Sequence, residues 1–61
     1  MLRELTDQEK RVIRKLTIAW NEFLVLPEIH PDDRDEFRAT IHAAQNIVLS
    51  RPAVEEFKKE I

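Results

Sequence analysis

Four polar side chains on one predicted helix are the residues of this sequence best suited to recognise a ligand. They recur at steps of three and four residues, which places them on one side of a helix, and in chain order they are Arg38, His42, Gln45 and Asn46. A guanidinium, an imidazole and two amides form directional hydrogen bonds. Two interpretations stay open: a stripe that binds a ligand or partner, or hydrogen bonds between helices or subunits on a mixed surface.

Catalytic and metal-binding chemistry is not indicated, so we expect no enzyme activity and no cofactor. Ser50 is the only serine, and no base is assembled around it. His42 and Glu36 are too far apart along one helix to act as an acid–base pair. The acidic residues Asp32, Asp33 and Glu36 are interpreted as helix-start chemistry, with a divalent-cation site as the alternative. Two histidines and no cysteine are too few for a structural metal.

Composition limits both the fold and the partners of this chain. Its 61 residues make one domain, and so short a chain usually needs added stabilisation. Cysteine and glycine are both absent, which excludes disulfides and argues against strands and phosphate-cradling loops. We therefore expect a homo-oligomer or binding to another chain. The net charge of -2 makes duplex nucleic acid an unexpected partner, because such binders usually carry a basic excess.

Targeting signals are not evident anywhere in the sequence. No signal peptide, transmembrane run or lipidation motif is present, and the first residue has the character of a native Met1. We therefore expect a cytoplasmic protein with no membrane partner.

A first helix is predicted over residues 6–26. Thr6 and Glu9 match a capping box at its start, and Pro27 ends it because proline cannot continue the hydrogen-bond ladder. Its apolar positions cover one face centred on Leu16. Ile18 and Val25 lie on the opposite, polar side, and they are either a subunit interface or two merely exposed side chains.

A second helix is predicted over residues 31–50. Pro31 suits the first helical position, and His30 is then the expected N-cap. The apolar residues of this helix form a narrow seam that should pack against the Leu16–Trp20–Phe23 face of the first helix. The seam consists of Phe37, Ile41, Ala44 and Val48.

A short third helix is predicted over residues 53–60, because Pro52 ends or kinks the second helix. Val54, Phe57 and Ile61 share one face at helical spacing, and Val54 and Phe57 are interface candidates. Whether this helix packs in its own subunit or on another is left open. The predicted fold is thus a single all-α domain, residues 1–61: an antiparallel helical hairpin with a short C-terminal third helix, assembling as a homo-oligomer.

The run from Trp20 to Pro52 resembles a class of small phage- and prophage-encoded helical proteins. Their pattern is W-N-x-F-x-x-L-P, then H-P-x-D-x-x-E-F and I-H-x-x-Q-N-x-x-x-x-R-P. The matching residues here are Trp20, Asn21, Phe23, Leu26, Pro27, His30, Pro31, Asp33, Glu36, Phe37, Ile41, His42, Gln45, Asn46, Arg51 and Pro52. This resemblance implies phage or prophage origin, and hence the cytoplasm of an infected or lysogenic bacterial host.

A second similarity is to the helical hairpin of phage sponge proteins that counter the CBASS and Thoeris defence systems. Asn46 and Arg51 match the Asn-x-x-x-x-Arg spacing of that hairpin, whereas its glutamate pair and aromatic are replaced here by Ala43, Ala44 and Gln45. The resemblance implies an oligomer that traps a cyclic nucleotide between subunits. In such a site arginine would hold phosphate, amides would read base edges, and Trp20 or Phe57 would stack on a base.

The leading functional hypothesis is therefore an anti-defence protein that sequesters a cyclic nucleotide signal. Its candidate ligand-binding residues are Arg38, His42, Gln45, Asn46, Arg51 and Trp20. The alternative is a protein-interaction module or inhibitor that docks a helix face on a host protein, with Ile18 and Val25 as part of the contact. A nucleic-acid binder is the third hypothesis, and it would need salt-dependent binding to DNA.

Overall fold

A computed structural model of the chain describes residues 2–60, and within this range all regular structure is helical. Three helices follow one another: α1 (Asp7–Leu24), α2 (Asp33–Leu49) and α3 (Arg51–Glu60). The predicted all-α class is confirmed. Ile61, which was assigned to the apolar face of the third helix, lies outside the described residues.

Helix α1 starts at the predicted capping box. The Glu9 backbone N–H donates to Thr6 Oγ1 at 3.1 Å, and the Thr6 backbone N–H donates to Glu9 Oε1 at 2.9 Å. The helix ends at Leu24, two residues before the predicted boundary. Leu26 precedes Pro27, which disfavours helical geometry at that position, and the last N–H groups instead bond three residues back.

The start of α2 corrects the prediction that His30 is the N-cap and Pro31 the first helical residue. The helix begins at Asp33 with Asp32 as its N-cap. The His30 carbonyl accepts from the Asp33 N–H at 3.2 Å, and Asp32 has φ -93° and ψ -4°. These values match a type I turn with Pro31 at its second position. The imidazole accepts the Asp32 N–H at His30 Nδ1, 3.1 Å away, which holds the turn in place.

Helix α3 begins earlier than predicted, at Arg51 rather than residue 53. Pro52 occupies the first turn of α3, where its missing N–H has no acceptor within the helix. A single residue, Ser50, separates α2 from α3; its carbonyl accepts from the Val54 N–H at 2.9 Å, and its hydroxyl donates to the Ile47 carbonyl. The proline therefore ends one helix and starts the next.

Helices α1 and α2 pack against each other as an antiparallel hairpin. Three aromatic rings join the end of α1 to the start of α2: the Phe23 and Phe37 rings stack 4.2 Å apart, and Trp20 stacks on both at 6.4 and 6.1 Å. Ile41 of the predicted seam is buried between the helices, with 8% of its surface exposed.

The hairpin and α3 form a thin, elongated body. Its principal extents are 47 × 21 × 11 Å, so the shortest dimension is roughly the diameter of one helix. The radius of gyration is 14.9 Å, whereas a compact chain of this length has about 10.5 Å. The surface area is 5325 Å², about 1,100 Å² above the value of about 4,200 Å² typical of a 7.3 kDa monomer.

The hydrophobic residues of the described chain are poorly enclosed. None of the side chains within residues 2–59 has less than 2% of its surface exposed, and Ile41 and Pro52 are the buried apolar residues of this range. Ten large hydrophobic side chains in the same range are exposed; they are Leu2, Val12, Ile18, Val25, Leu26, Ile29, Ile47, Leu49, Val54 and Phe57. Across residues 2–60, no helix combines the length and the apolar character needed to cross a bilayer.

Candidate binding surfaces

The polar stripe predicted on α2 lies on the surface of the hairpin. Its residues are Arg38, His42, Gln45 and Asn46; Gln45 is half-buried and the other three are exposed. The Arg38 guanidinium lies 3.9 Å from Asp35, an exposed contact of little energy. Within residues 2–59 none of the four side chains forms a hydrogen bond with another protein group. Their hydrogen-bonding groups therefore stay available to solvent or to a ligand.

The structure gives contacts within the protein to the other two predicted ligand residues, Arg51 and Trp20. Arg51 Nε donates to Glu9 Oε2 at 2.6 Å, so its guanidinium points toward the start of α1. Trp20 is half-buried and belongs to the aromatic stack with Phe23 and Phe37. The structure therefore brings the four residues of the polar stripe together on α2 and gives Arg51 and Trp20 partners elsewhere.

The three acidic residues considered as a cation site do not converge. Asp32 is the N-cap of α2 without a side-chain hydrogen bond to the helix, and Asp33 follows it. Among residues 2–59, no three potential metal-ligand side chains are grouped as a metal would require. The helix-start interpretation of Asp32, Asp33 and Glu36 accounts for their position, since carboxylates there complement the helix dipole.

An ion-pair cluster that sequence reasoning did not anticipate lies at the opposite end from the turn. Arg3 binds Glu9 through both terminal nitrogens, at 2.7 and 3.0 Å, and Glu55 through Nε at 2.6 Å. Together with Arg51, these residues form what we call the Glu9 cluster. It connects the N-terminal segment, the first turn of α1 and the first turns of α3. The capping box predicts a structural role for Glu9, but no local sequence pattern predicts its ion pairs with Arg3 and Arg51, which lie 6 and 42 residues away.

Ionisable side chains of the Glu9 cluster shift one another's pKa values. Hydrogen bonds from Arg3, from the Thr6 backbone and from Arg51 hold the pKa of Glu9 well below its ordinary value of 4.5. Arg3 likewise lowers the pKa of Glu55, and the two carboxylates raise the pKa of Arg3. Glu9 is buried, with 7% of its surface exposed. Glu9, Glu55 and Arg3 are thus ionised at neutral pH.

Beside the Glu9 cluster lies an open groove with a volume of about 870 Å³. It runs between the start of α1, the end of α2 and α3. Its apolar lining includes Val12, Ile47 and Val54, with exposed fractions of 47%, 69% and 48%. At about 100° per residue, Ile47 and the polar stripe lie on different sides of α2. The groove and the stripe are therefore separate surfaces.

A second apolar surface occupies the turn between α1 and α2. We call it the turn surface: Val25 is 82% exposed, Leu26 56% and Ile29 91%. Ile18, 48% exposed, continues it along α1, seven residues before Val25. The segment that contains it is acidic, since residues 21–38 have two basic and six acidic side chains. The acidic ones are Glu22, Glu28, Asp32, Asp33, Asp35 and Glu36.

A helical hairpin with an added helix is an architecture that unrelated functions share, so the fold alone does not identify an activity. No protein-family model matches this sequence, and no curated protein or solved structure shows significant similarity to it. The function is therefore inferred from the chemistry of the three surfaces: the polar stripe, the groove and the turn surface.

Proposed function

We propose that this chain is a helical protein-interaction module that works as a homo-oligomer and docks its turn surface on a protein partner. The exposure of Val25 and Ile29 is the observation that carries this proposal. Soluble proteins rarely leave large neighbouring apolar side chains this open unless the surface binds something. Here the two residues are 82% and 91% exposed at the end of the hairpin.

The charges around the turn surface indicate the chemistry of the partner. Residues 21–38 carry six acidic and two basic side chains, whereas the chain as a whole has a net charge of only -2. The complementary site on the partner protein would be an apolar pocket with lysine and arginine side chains around its edge. Such charge complementarity speeds association and makes it sensitive to salt, while the apolar contact supplies the affinity.

Affinity capture from bacterial lysate tests this proposal when wild type is compared with the Val25→Ser/Ile29→Ser double variant. We expect wild type to retain a protein that the variant loses, because the substitutions remove the apolar contact. The control is Leu49→Ser, which changes a 52% exposed apolar residue outside the turn surface and should leave capture intact. Calorimetry with the purified partner should then show weaker binding as salt rises. Equal capture by wild type and double variant would overturn the proposal.

A second candidate function is the sequestration of a cyclic nucleotide between subunits, as in the phage sponge proteins that the hairpin resembles. The observation that favours it is the polar stripe, whose guanidinium, imidazole and amides have no hydrogen-bond partners within residues 2–59. An arginine and amides suit phosphate oxygens and base edges. This candidate includes the proposed phage origin, and with it a role against host defence.

Titration with a panel of cyclic di- and trinucleotides distinguishes the second candidate from the first. Binding of one member should raise the melting temperature of wild type, and Arg38→Ala and Asn46→Ala should abolish that rise. Arg14→Ala is the matched control, because it removes an exposed arginine of α1 that lies outside the stripe. No stabilisation of wild type by any nucleotide of the panel would exclude the sponge hypothesis.

A further inference from the structure

We propose that the groove between α1, α2 and α3 is the self-association surface and that its occupant is a second copy of this chain, related by a two-fold axis. This inference rests on the homo-oligomer of the proposed function and names the face that forms it. Two-fold dimers are the commonest oligomers of soluble proteins, and their interfaces pair one patch with itself. Such an interface requires an apolar patch, balanced charge and sufficient exposed area; the groove supplies the first and nearly the second, and the chain as a whole supplies the third.

The apolar floor is the first property. Val12, Ile47 and Val54 come from three different helices and line one groove, yet each keeps about half or more of its surface exposed. Helix α3 also carries Phe57, 63% exposed, three residues after the groove residue Val54 and therefore on the same side of the helix. These side chains are not covered by their own chain, and contact with an equivalent surface would remove them from water.

Balanced charge is the second property. When a patch meets its own copy, any net charge faces the same net charge and repels it. The groove is lined by five charged side chains, and four of them pair with one another as the Glu9 cluster: Arg3, Glu9, Arg51 and Glu55. The fifth, Lys58, leaves the lining with a net charge of only +1. An anionic ligand would have to compete with Glu9 and Glu55 for the guanidinium groups, whereas a second copy leaves them paired.

Sufficient area is the third property, and it belongs to the chain as a whole rather than to the groove alone. The chain exposes 5325 Å², about 1,100 Å² more than a compact monomer of its mass. A standard protein interface buries about 800 Å² on each partner, so pairing with a second copy would restore an ordinary degree of burial. Since Ile41 and Pro52 are the apolar residues that are buried within residues 2–59, contact with a second copy would bury hydrophobic side chains that the chain itself leaves exposed. A second copy is the partner that is always present.

Sedimentation equilibrium with matched variants tests the assignment. Ile47→Asp places a carboxylate on the groove floor, and because the interface is two-fold, the substitution occurs twice in each dimer. We expect wild type to sediment as a dimer and Ile47→Asp to raise its dissociation constant at least about 30-fold. Ile29→Ser, which alters the turn surface instead, should leave the dissociation constant unchanged. Circular dichroism checks that the variants remain helical.

The outcomes separate this inference from the proposed function. A dimer that Ile47→Asp leaves intact would overturn the groove assignment while the homo-oligomer stands. A wild-type monomer at all concentrations would overturn both the assignment and the homo-oligomer. If Ile47→Asp fails to fold, Val54→Asp decides, because it places a carboxylate on the α3 side of the same groove. A weakened dimer supports the groove interface, and a dimer that Val54→Asp leaves intact overturns it.

Discussion

Glu9 connects parts of the chain that are remote in sequence. Its carboxylate accepts four hydrogen bonds: two from Arg3, one from the Thr6 backbone and one from Arg51. A buried carboxylate is costly unless its oxygens are satisfied by donors, and here both oxygens have a cationic partner. The same residue thus caps α1, fixes the N-terminal segment and orients the start of α3.

The ionisation of Glu9 makes folding stability depend on pH. Its pKa in the folded chain lies well below the ordinary 4.5, so the unfolded chain takes up the proton first as pH falls. The stabilisation is therefore fully present above about pH 5 and is lost progressively toward about pH 3 and below. Glu55, whose pKa is also lowered, acts with the same sign. We expect the melting temperature to fall steeply over this range.

Replacement of Glu9 by glutamine should remove much of this pH dependence. At neutral pH we expect Glu9→Gln to melt several degrees below wild type, because Arg3 and Arg51 lose their anionic partner. As the pH falls from about 5 to about 3, the melting temperature of Glu9→Gln should decrease less than that of wild type. Glu4→Gln, an exposed neighbour, is the control for the change in net charge. An equally steep decline in Glu9→Gln and wild type would contradict the assigned role.

At the level of single residues, the sequence predicts contacts between near neighbours but not contacts between distant residues. The Thr6–Glu9 capping box is contained within four residues and was predicted from sequence. His30 was assigned the wrong role, because a proline fits both the second position of a type I turn and the start of a helix. The stabilising contact between Glu9 and Arg51 joins residues 42 positions apart, and no local pattern reports such a pair.

At the level of helices, periodicity determines which residues face the hairpin seam. Phe37 and Ile41 were predicted to pack on α1, and the structure places Phe37 in the aromatic stack and Ile41 in the buried core. The helix ends were less predictable than the faces. Pro27 shortens α1 because it constrains the residues before it, whereas Pro52 is accommodated inside the first turn of α3.

Ile41 should dominate the stability of the hairpin. Truncation of Ile41, which is 8% exposed, to alanine leaves a cavity between the helices. We expect Ile41→Ala to lower the free energy of unfolding by about 2–4 kcal/mol. Ile29→Ala makes the same chemical change at a site that is 91% exposed and should alter it by less than about 0.5 kcal/mol. Urea unfolding measures both, and similar losses in the two variants would contradict this packing.

The whole molecule is a thin body, 47 Å long, with two separate apolar surfaces. The turn surface lies where α1 ends and α2 begins, and the groove lies at the other end of the hairpin, where α3 begins. This separation permits one surface to bind a partner while the other binds a second copy. None of the four residues of the polar stripe lines the groove, so we expect the stripe to stay accessible in the proposed dimer.

Self-association should make thermal stability depend on protein concentration. If unfolding also separates the subunits, mass action raises the melting temperature as the protein is concentrated. For two chains of 61 residues, we expect a rise of about 5 °C for each tenfold increase in concentration. Differential scanning calorimetry over a hundredfold range measures this shift. A constant melting temperature would contradict a dimer that dissociates on unfolding.

Sequence alone establishes the helical class, the capping box and the apolar seam, because these features depend on residues within one or two helical turns of each other. The groove, the Glu9 cluster and the separation of Arg51 from the polar stripe are decided by tertiary structure. They depend on how the proline at residue 52 redirects the chain and on which distant charges then meet. Val54 and Phe57 show the difference: their helical spacing is visible in the sequence, but only the folded chain shows that its own helices leave them exposed.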